Sequence, residues 1–332
     1  MEVNTLKIVF LFSGQGSQFS GMGESLFEHN ATFKNCVEQS DAVIRKRLNR
    51  SLIDELYAAK EQPFDDLLMT HPGIVAVEIA IYRVLQEMGI TPDYVCGSSL
   101  GEFAAGVVNG VWTAQMAIEA SIEQAKSIVR NSSSGGMLAV MNKRGKDMQY
   151  LYSKHKLYVA ADNFDGHFTL AGPAQSINAC QYELSHMGIP FQRLPVNYAF
   201  HSPMIEGELE FAYYMAATPF LSNPKAGFIS GIKCKESNSL HGNYFWDVVT
   251  RYIDFKKIIH YIECRGPCLY VDLGPSGSAA NFVKYNLSPV SRSQTFQIMT
   301  PFKREREQLK ALQKMIELQS HTIPSSVSIY PE

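Results

Sequence analysis

The stretch Tyr94–Glu102, Tyr-Val-Cys-Gly-Ser-Ser-Leu-Gly-Glu, constrains the fold more than any other part of the chain. A short apolar run enters Gly97-Ser98-Ser99-Leu100-Gly101, and helix-forming residues continue from Glu102 to Gly110. Strand, G-x-S-x-G and helix in direct succession require a sharp turn. Glycines two positions either side of Ser99 let neighbouring backbone pack closely, so the hydroxyl stands clear of the sheet. The helix start adds backbone N–H groups and a positive dipole end, both suited to an oxyanion. Ser99 is therefore the candidate nucleophile.

The surrounding pattern supports an α/β fold. Lys7–Phe12 is an apolar strand opening into the glycine-rich Ser13–Gln18, and helical spacing follows over 31–47, 74–89 and 114–130. Asn131-Ser-Ser-Ser-Gly-Gly136 reads as a linker, after which the rhythm changes. Strands at 137–141, 158–161, 168–171 and 191–196, with helices at 146–155 and 174–187, give the order β-α-β-β-α-β of a ferredoxin-like unit. The chain thus divides into a catalytic domain of residues 1–132 and 205–332 and an inserted subdomain of 133–204. A buried strand at 268–273 and an amphipathic helix at about 304–319 complete the large domain, and the tail after Thr322 reads as loose.

Bulk properties exclude several classes. A net charge of −2 over 332 residues gives no case for nucleic acid or an anionic membrane. The apolar run Ile8–Phe12 is too short for a signal peptide or a span. Six scattered cysteines show no disulfide framework, and Cys264 and Cys268 without an adjacent histidine make a poor metal site. The expectation is a soluble, cytoplasmic monomer with no metal and no bound cofactor.

A serine needs a base within hydrogen-bond reach. His201 lies in Asn197-Tyr-Ala-Phe-His-Ser-Pro-Met204, at the seam between the two expected domains, where Ser202 and Pro203 suggest the cap and first residue of a helix. His155, His186 and His321 fall in helix or tail and read as surface residues. Gly14-Gln15-Gly16 offers unencumbered N–H groups at a strand end. The N–H of Gln15 and that of Leu100, next to the nucleophile, form the expected oxyanion hole. Lacking a GK[ST] ending, the loop is a poor phosphate cradle.

Phe12–Gln18, Gly97–Glu102, Ala199–Met204 and Asp272–Pro275 occur in the order found in the malonyl-CoA:acyl carrier protein transacylase family. The chain resembles that family from residue 7 to about 320. The resemblance implies an α/β-hydrolase-like large domain with a parallel sheet, a Ser99–His201 dyad and an acyl-Ser99 intermediate. It also implies a phosphopantetheine-bearing substrate, an acyl carrier protein as partner, and a backbone carbonyl orienting His201, matched here to Arg265.

Two departures from the family bear on substrate. Ser98 stands where the family has histidine. Gln124, 25 residues beyond the serine, stands where malonyl-specific members have an arginine that pairs with the substrate carboxylate. Lys126 and Arg130 lie on other faces of that helix. Gln124, with Asn163 and Phe200, is therefore expected to line a neutral acyl pocket. The combination resembles the acyl hydrolases of trans-acyltransferase polyketide synthases. The leading expectation is hydrolysis of neutral acyl groups from carrier protein. The alternatives are a malonyl- or acyl-CoA:acyl carrier protein transferase supplying polyketide or fatty acid synthesis, and an inactive docking protein. Lys143, Arg144, Lys233 and Lys235 are candidate contacts for an acidic carrier.

Overall fold

The computed structural model describes residues 6–58, 64–143, 145–218 and 222–321. Its larger sheet contains β1 (Lys7–Phe12), β2 (Tyr94–Gly97), β7 (Phe228–Ser230), β8 (Lys235–Glu236), β10 (Cys268–Asp272) and β11 (Gln294–Gln297), in the order β11-β10-β1-β2-β7-β8. All neighbours are parallel except the β7–β8 pair. In β1, Phe10 and Phe12 face one apolar core while Val9 and Leu11 face another. Burial of both faces explains why the strand reads as an unbroken apolar run rather than an alternating one. The chain leaves β1 for β2 on one side and later returns to β10 on the other. This reversal opens a crevice at the carboxyl ends of the strands.

The smaller sheet contains β3 (Gly135–Met141), β4 (Tyr158–Phe164), β5 (His167–Pro173), β6 (Phe191–Arg193) and β9 (Ile253–Asp254), in the order β6-β3-β5-β4-β9. Its first four strands pair antiparallel, and the helices Lys146–Lys154 and Ala174–His186 pack on them around a separate core that includes Leu138, Phe168 and Ile177. The arrangement is ferredoxin-like. β9 joins from the returning large-domain chain, in parallel with β4, and ties the two parts together beside the crevice.

Three local expectations change. Gly135 and Gly136 begin β3 rather than a linker, and Gly135 N–H donates to Asn197 O at 2.9 Å. A Cβ on Gly135 would lie 2.8 Å from Ala199 N, so glycine serves close packing there. β6 stops at Arg193 because Pro195, with no N–H, cannot extend the ladder. The helix expected at Ser202 begins only at Glu208, after Gly207 at φ 117°. Ser202 instead closes a tight turn, donating to Ala199 O at 2.6 Å and accepting from Met204 N at 3.2 Å.

The helix Leu67–Glu87 starts earlier than its apolar spacing suggested, where Asp66 accepts from Leu68 N at 3.1 Å. It is long and apolar enough to cross a membrane, yet 89% of its apolar window is buried against the rest of the fold. Tight packing also fixes the crossing beneath Ser99. A Cβ on Gly101 would sit 2.3 Å from Phe12 O, a contact that backbone alone would have to relieve. Gly101→Ala should therefore destabilise the protein by about 2–3 kcal/mol. The expected readout is a lower denaturant midpoint with an unchanged m-value.

Candidate active site

Ser99 follows β2 at φ 56°, in the left-handed region, and precedes the helix Gly101–Asn109. A non-glycine residue holds this conformation only where its surroundings impose it. Here Ser98 N–H donates to Phe12 O at 2.9 Å, Gly101 N–H to Ser98 O at 3.1 Å and Glu102 N–H to Ser99 O at 3.0 Å. A Cβ on Gly97 would fall 2.3 Å from Glu102 N, so the flanking glycines are steric requirements. The buried Glu102 side chain turns beneath the elbow, and its Oε1 accepts from Gly231 N at 2.5 Å. Burial raises its carboxyl to about 8, so it is mostly protonated at neutral pH and brings little charge to the nucleophile.

His201 also has a left-handed backbone, at φ 59°. Its main-chain N–H donates to Val249 O at 2.9 Å and its Nδ1–H to Arg251 O at 2.7 Å. The last turn of the helix Tyr244–Thr250 therefore fixes the position, and Arg251 just beyond it fixes the tautomer, leaving Nε2 as the basic nitrogen. Burial lowers the imidazole to about 4, against a weaker opposing effect of the Arg251 carbonyl, so the ring is neutral and ready to accept a proton. The orienting carbonyl is that of Arg251, not of Arg265. Arg265 lies beyond the helix Phe255–Glu263, with its guanidinium over the Tyr261 ring. A backbone acceptor carries no side-chain signature, so motif spacing could not locate it.

The loop after β1 passes directly over the serine. A Cβ on Gly14 would lie 2.7 Å from Ser99 Cβ and 3.2 Å from its Oγ. Several hydrogen bonds hold this loop. Ser13 N–H donates to the buried Glu78 Oε1 at 2.6 Å, Gly16 N–H to Gln18 Oε1 at 2.7 Å, and Gln18 Nε2 to Pro195 O at 2.9 Å. Asp272, at the end of β10, accepts from Gly274 N and Ala280 N, each at 2.8 Å, and burial raises its carboxyl to about 6. Burial likewise raises Glu78 well above the usual range. The N–H groups of Gln15 and Leu100 donate to no turn or cap acceptor among the described residues; Gln15 lines the cavity beside Ser99, whereas Leu100 is fully buried and is not among its lining residues.

Ser99, His201, Gln15, Asn163 and Phe200 all line one cavity of about 350 Å³ between the two sheets. Among its lining residues there is no lysine, arginine, aspartate or glutamate. Asn163 is held on the wall by contacts to His167 Nδ1 at 3.0 Å and Thr169 Oγ1 at 3.3 Å. Gln124 does not line the cavity. It is fully buried, donates to Phe245 O, and pairs through Oε1 with His71 Nε2 at 3.2 Å. It lies on the inward face of its helix, so the chain packs over it and the expected pocket-lining role is corrected.

Sequence reasoning missed His71 and Glu78, although a signal was present. They lie seven residues apart in an apolar helix, within about 20° of the same face. Of the proposed docking cations, Lys143 is exposed near Asp165 and Lys233 is tied to Ser237 Oγ and Ser239 O, while Arg144 lies outside the described residues.

His201 and His71, lowered to about 4 and about 3 by burial, take up protons on unfolding. Their contribution to stability is therefore complete above about pH 6.5 and is lost as pH falls toward 4. Acylation should follow the same group. We expect kcat/KM for a neutral thioester to stay level through pH 6.5, with an acid limb approaching 4 in stopped-flow assays. A limb centred at 6.5 would show a solvated, unperturbed base.

An acyl transferase domain model matches residues 9–323. The polyketide biosynthesis acyltransferase homolog PksD of Bacillus subtilis (strain 168) is 36% identical, covering 92% of this chain and 95% of its own. BaeD of Bacillus velezensis, named likewise, is 35% identical over 93% of this chain and 96% of its own. The acyltransferase domain from the second module of the salinomycin polyketide synthase superposes with TM-score 0.81 at 25% identity, covering 99% of this chain and 79% of its own. A malonyl CoA-acyl carrier protein transacylase from Clostridium perfringens shares the fold, with TM-score 0.78 at 20% identity over 95% of this chain and 99% of its own. With the match running through both sheets, the chain belongs to the acyl transferase domain family, and its chemistry is of the acyl-transfer kind.

Proposed function

We propose that the protein is a serine-dependent acyl hydrolase that removes neutral acyl groups from acyl carrier protein thioesters in polyketide biosynthesis. The observation that carries this reading is that, among the described residues lining the cavity that holds Ser99 and His201, there is no Lys, Arg, Asp or Glu side chain. Leaving a buried carboxylate without a partner costs about 3–5 kcal/mol, which is enough to disfavour a malonyl group strongly. A butyryl or acetyl group carries no such penalty. The relatives' names place them in polyketide biosynthesis.

In the first step His201 Nε2 takes the Ser99 Oγ proton as Oγ attacks the thioester carbonyl. The Gln15 and Leu100 N–H groups receive the developing oxyanion. The tetrahedral adduct collapses, the C–S bond breaks, and the carrier thiol leaves with the proton held by His201. Water then repeats the sequence on acyl-Ser99, releasing free acid and restoring both residues. In a second reading the acyl group, malonyl or another, comes from coenzyme A and a carrier protein thiol replaces water as acceptor; the family match itself supports it. The carrier protein is the same partner in either case.

Intact-mass spectrometry with butyryl-carrier protein and malonyl-CoA separates the two. We expect transient butyryl-Ser99, free butyrate and little malonyl adduct. Durable malonyl-Ser99 that passes to carrier protein would establish the transferase instead. Ser99→Ala should abolish labelling by either donor.

A further inference from the structure

The inner wall of the acyl cavity is a chain of buried neutral groups. Gln15 Nε2 donates to His71 Nδ1 at 2.5 Å and to Thr70 Oγ1 at 3.0 Å. With Nδ1 accepting, the imidazole carries its proton on Nε2, which donates to Gln124 Oε1 at 3.2 Å. Gln124 Nε2 in turn donates to Phe245 O at 2.5 Å. His71 and Gln124 are both 0% exposed. The His71 ring also stacks on Phe200, with centroids 5.9 Å apart and planes 23° from parallel. Gln15 and Phe200 line the cavity, whereas His71 and Gln124 do not. His71 therefore stands between Gln124 and the cavity and touches both wall residues.

We propose that His71 and Gln124 together set the selectivity of the acyl site, with His71 as a neutral spacer that closes the inner wall against acyl groups bearing a free carboxylate. The inference deepens the neutral-acyl reading and rests on it. A carboxylate needs a cation or several unengaged donors. Here the Gln15 amide donates to His71 and Thr70, the imidazole N–H to Gln124, and the Gln124 amide to Phe245. Burial also holds the imidazole uncharged, at about 3, so it cannot supply the missing charge at any working pH. A guanidinium placed at position 124 alone would lie behind the ring. Its donors would meet the ring nitrogen rather than the substrate. Acyl selectivity is therefore set by the pair, with His71 as the part that screens the cavity.

The test compares wild type, Gln124→Arg, His71→Ala and the double variant. Ser99 acylation by malonyl- and butyryl-N-acetylcysteamine is followed by intact mass. Gln124→Arg alone should leave the malonyl-to-butyryl ratio within about threefold of wild type, whereas the double variant should raise it by about tenfold or more. His71→Ala alone removes the screen without adding a cation, so its ratio should stay near wild type. A full gain from Gln124→Arg alone would overturn the proposal, as would a folded double variant with no gain. His71→Ser with Gln124→Arg, which still opens the wall but keeps a hydroxyl to accept from the Gln15 amide, serves if the alanine variant loses its thermal transition. Rapid malonyl acylation of the wild type would instead defeat the neutral-acyl reading, and it is read before any variant is compared.

Discussion

Gly14 and Ser99 approach so closely that no methyl group fits between them, and the catalytic arrangement depends on that contact. It exists because β1 and β2 pair in parallel with Phe12 opposite Gly97, which brings the loops leaving both strands to one point. The placement of Gln15 and Leu100 beside the raised serine hydroxyl results from this pairing. Glycine at 14, 97 and 101 is the steric condition for it, since any Cβ would strike backbone or the nucleophile itself. The same crowding holds Ser99 in a left-handed conformation that an isolated serine would rarely adopt.

Around this contact, burial drives each titratable group toward its uncharged form. His201 and His71 are pushed down, while Glu78, Glu102 and Asp272 are pushed up. Desolvation is the largest cause in every case, and hydrogen bonds oppose it only partly. A neutral His201 can act as base. By accepting backbone N–H groups, the acids hold the loop after β1, the chain after β7 beneath the elbow, and the turn after β10. The cavity lining mixes polar and apolar side chains and, among the described residues, includes no Lys, Arg, Asp or Glu.

The legible part of the molecule was the part written as local pattern. The strand–turn–helix around Ser99, the glycine loop after β1 and the β-α-β-β-α-β order each follow from residue type and spacing within a short window. Boundaries failed where tertiary contacts overrode propensity. Gly135 was absorbed into β3 because Ala199 crowds it, whereas the early end of β6 before Pro195 was a local signal that the sequence already carried. The Ser202 turn took hydrogen bonds that a helix cap would have used. Arg251 was illegible in principle, because its contribution is a carbonyl that any residue possesses.

By itself, the sequence determined the α/β class, the nucleophile segment and the substitution of a neutral amide for a cation at position 124. Only the tertiary structure decided where that amide lies. Gln124, His71 and Gln15 are far apart in the chain, yet they share one hydrogen-bonded wall because two core helices and the loop after β1 converge there. Local pattern records which face of a helix is buried, but not which polar group from another element will meet it. That pairing, and with it the screen that His71 places before Gln124, exists only once the elements are packed.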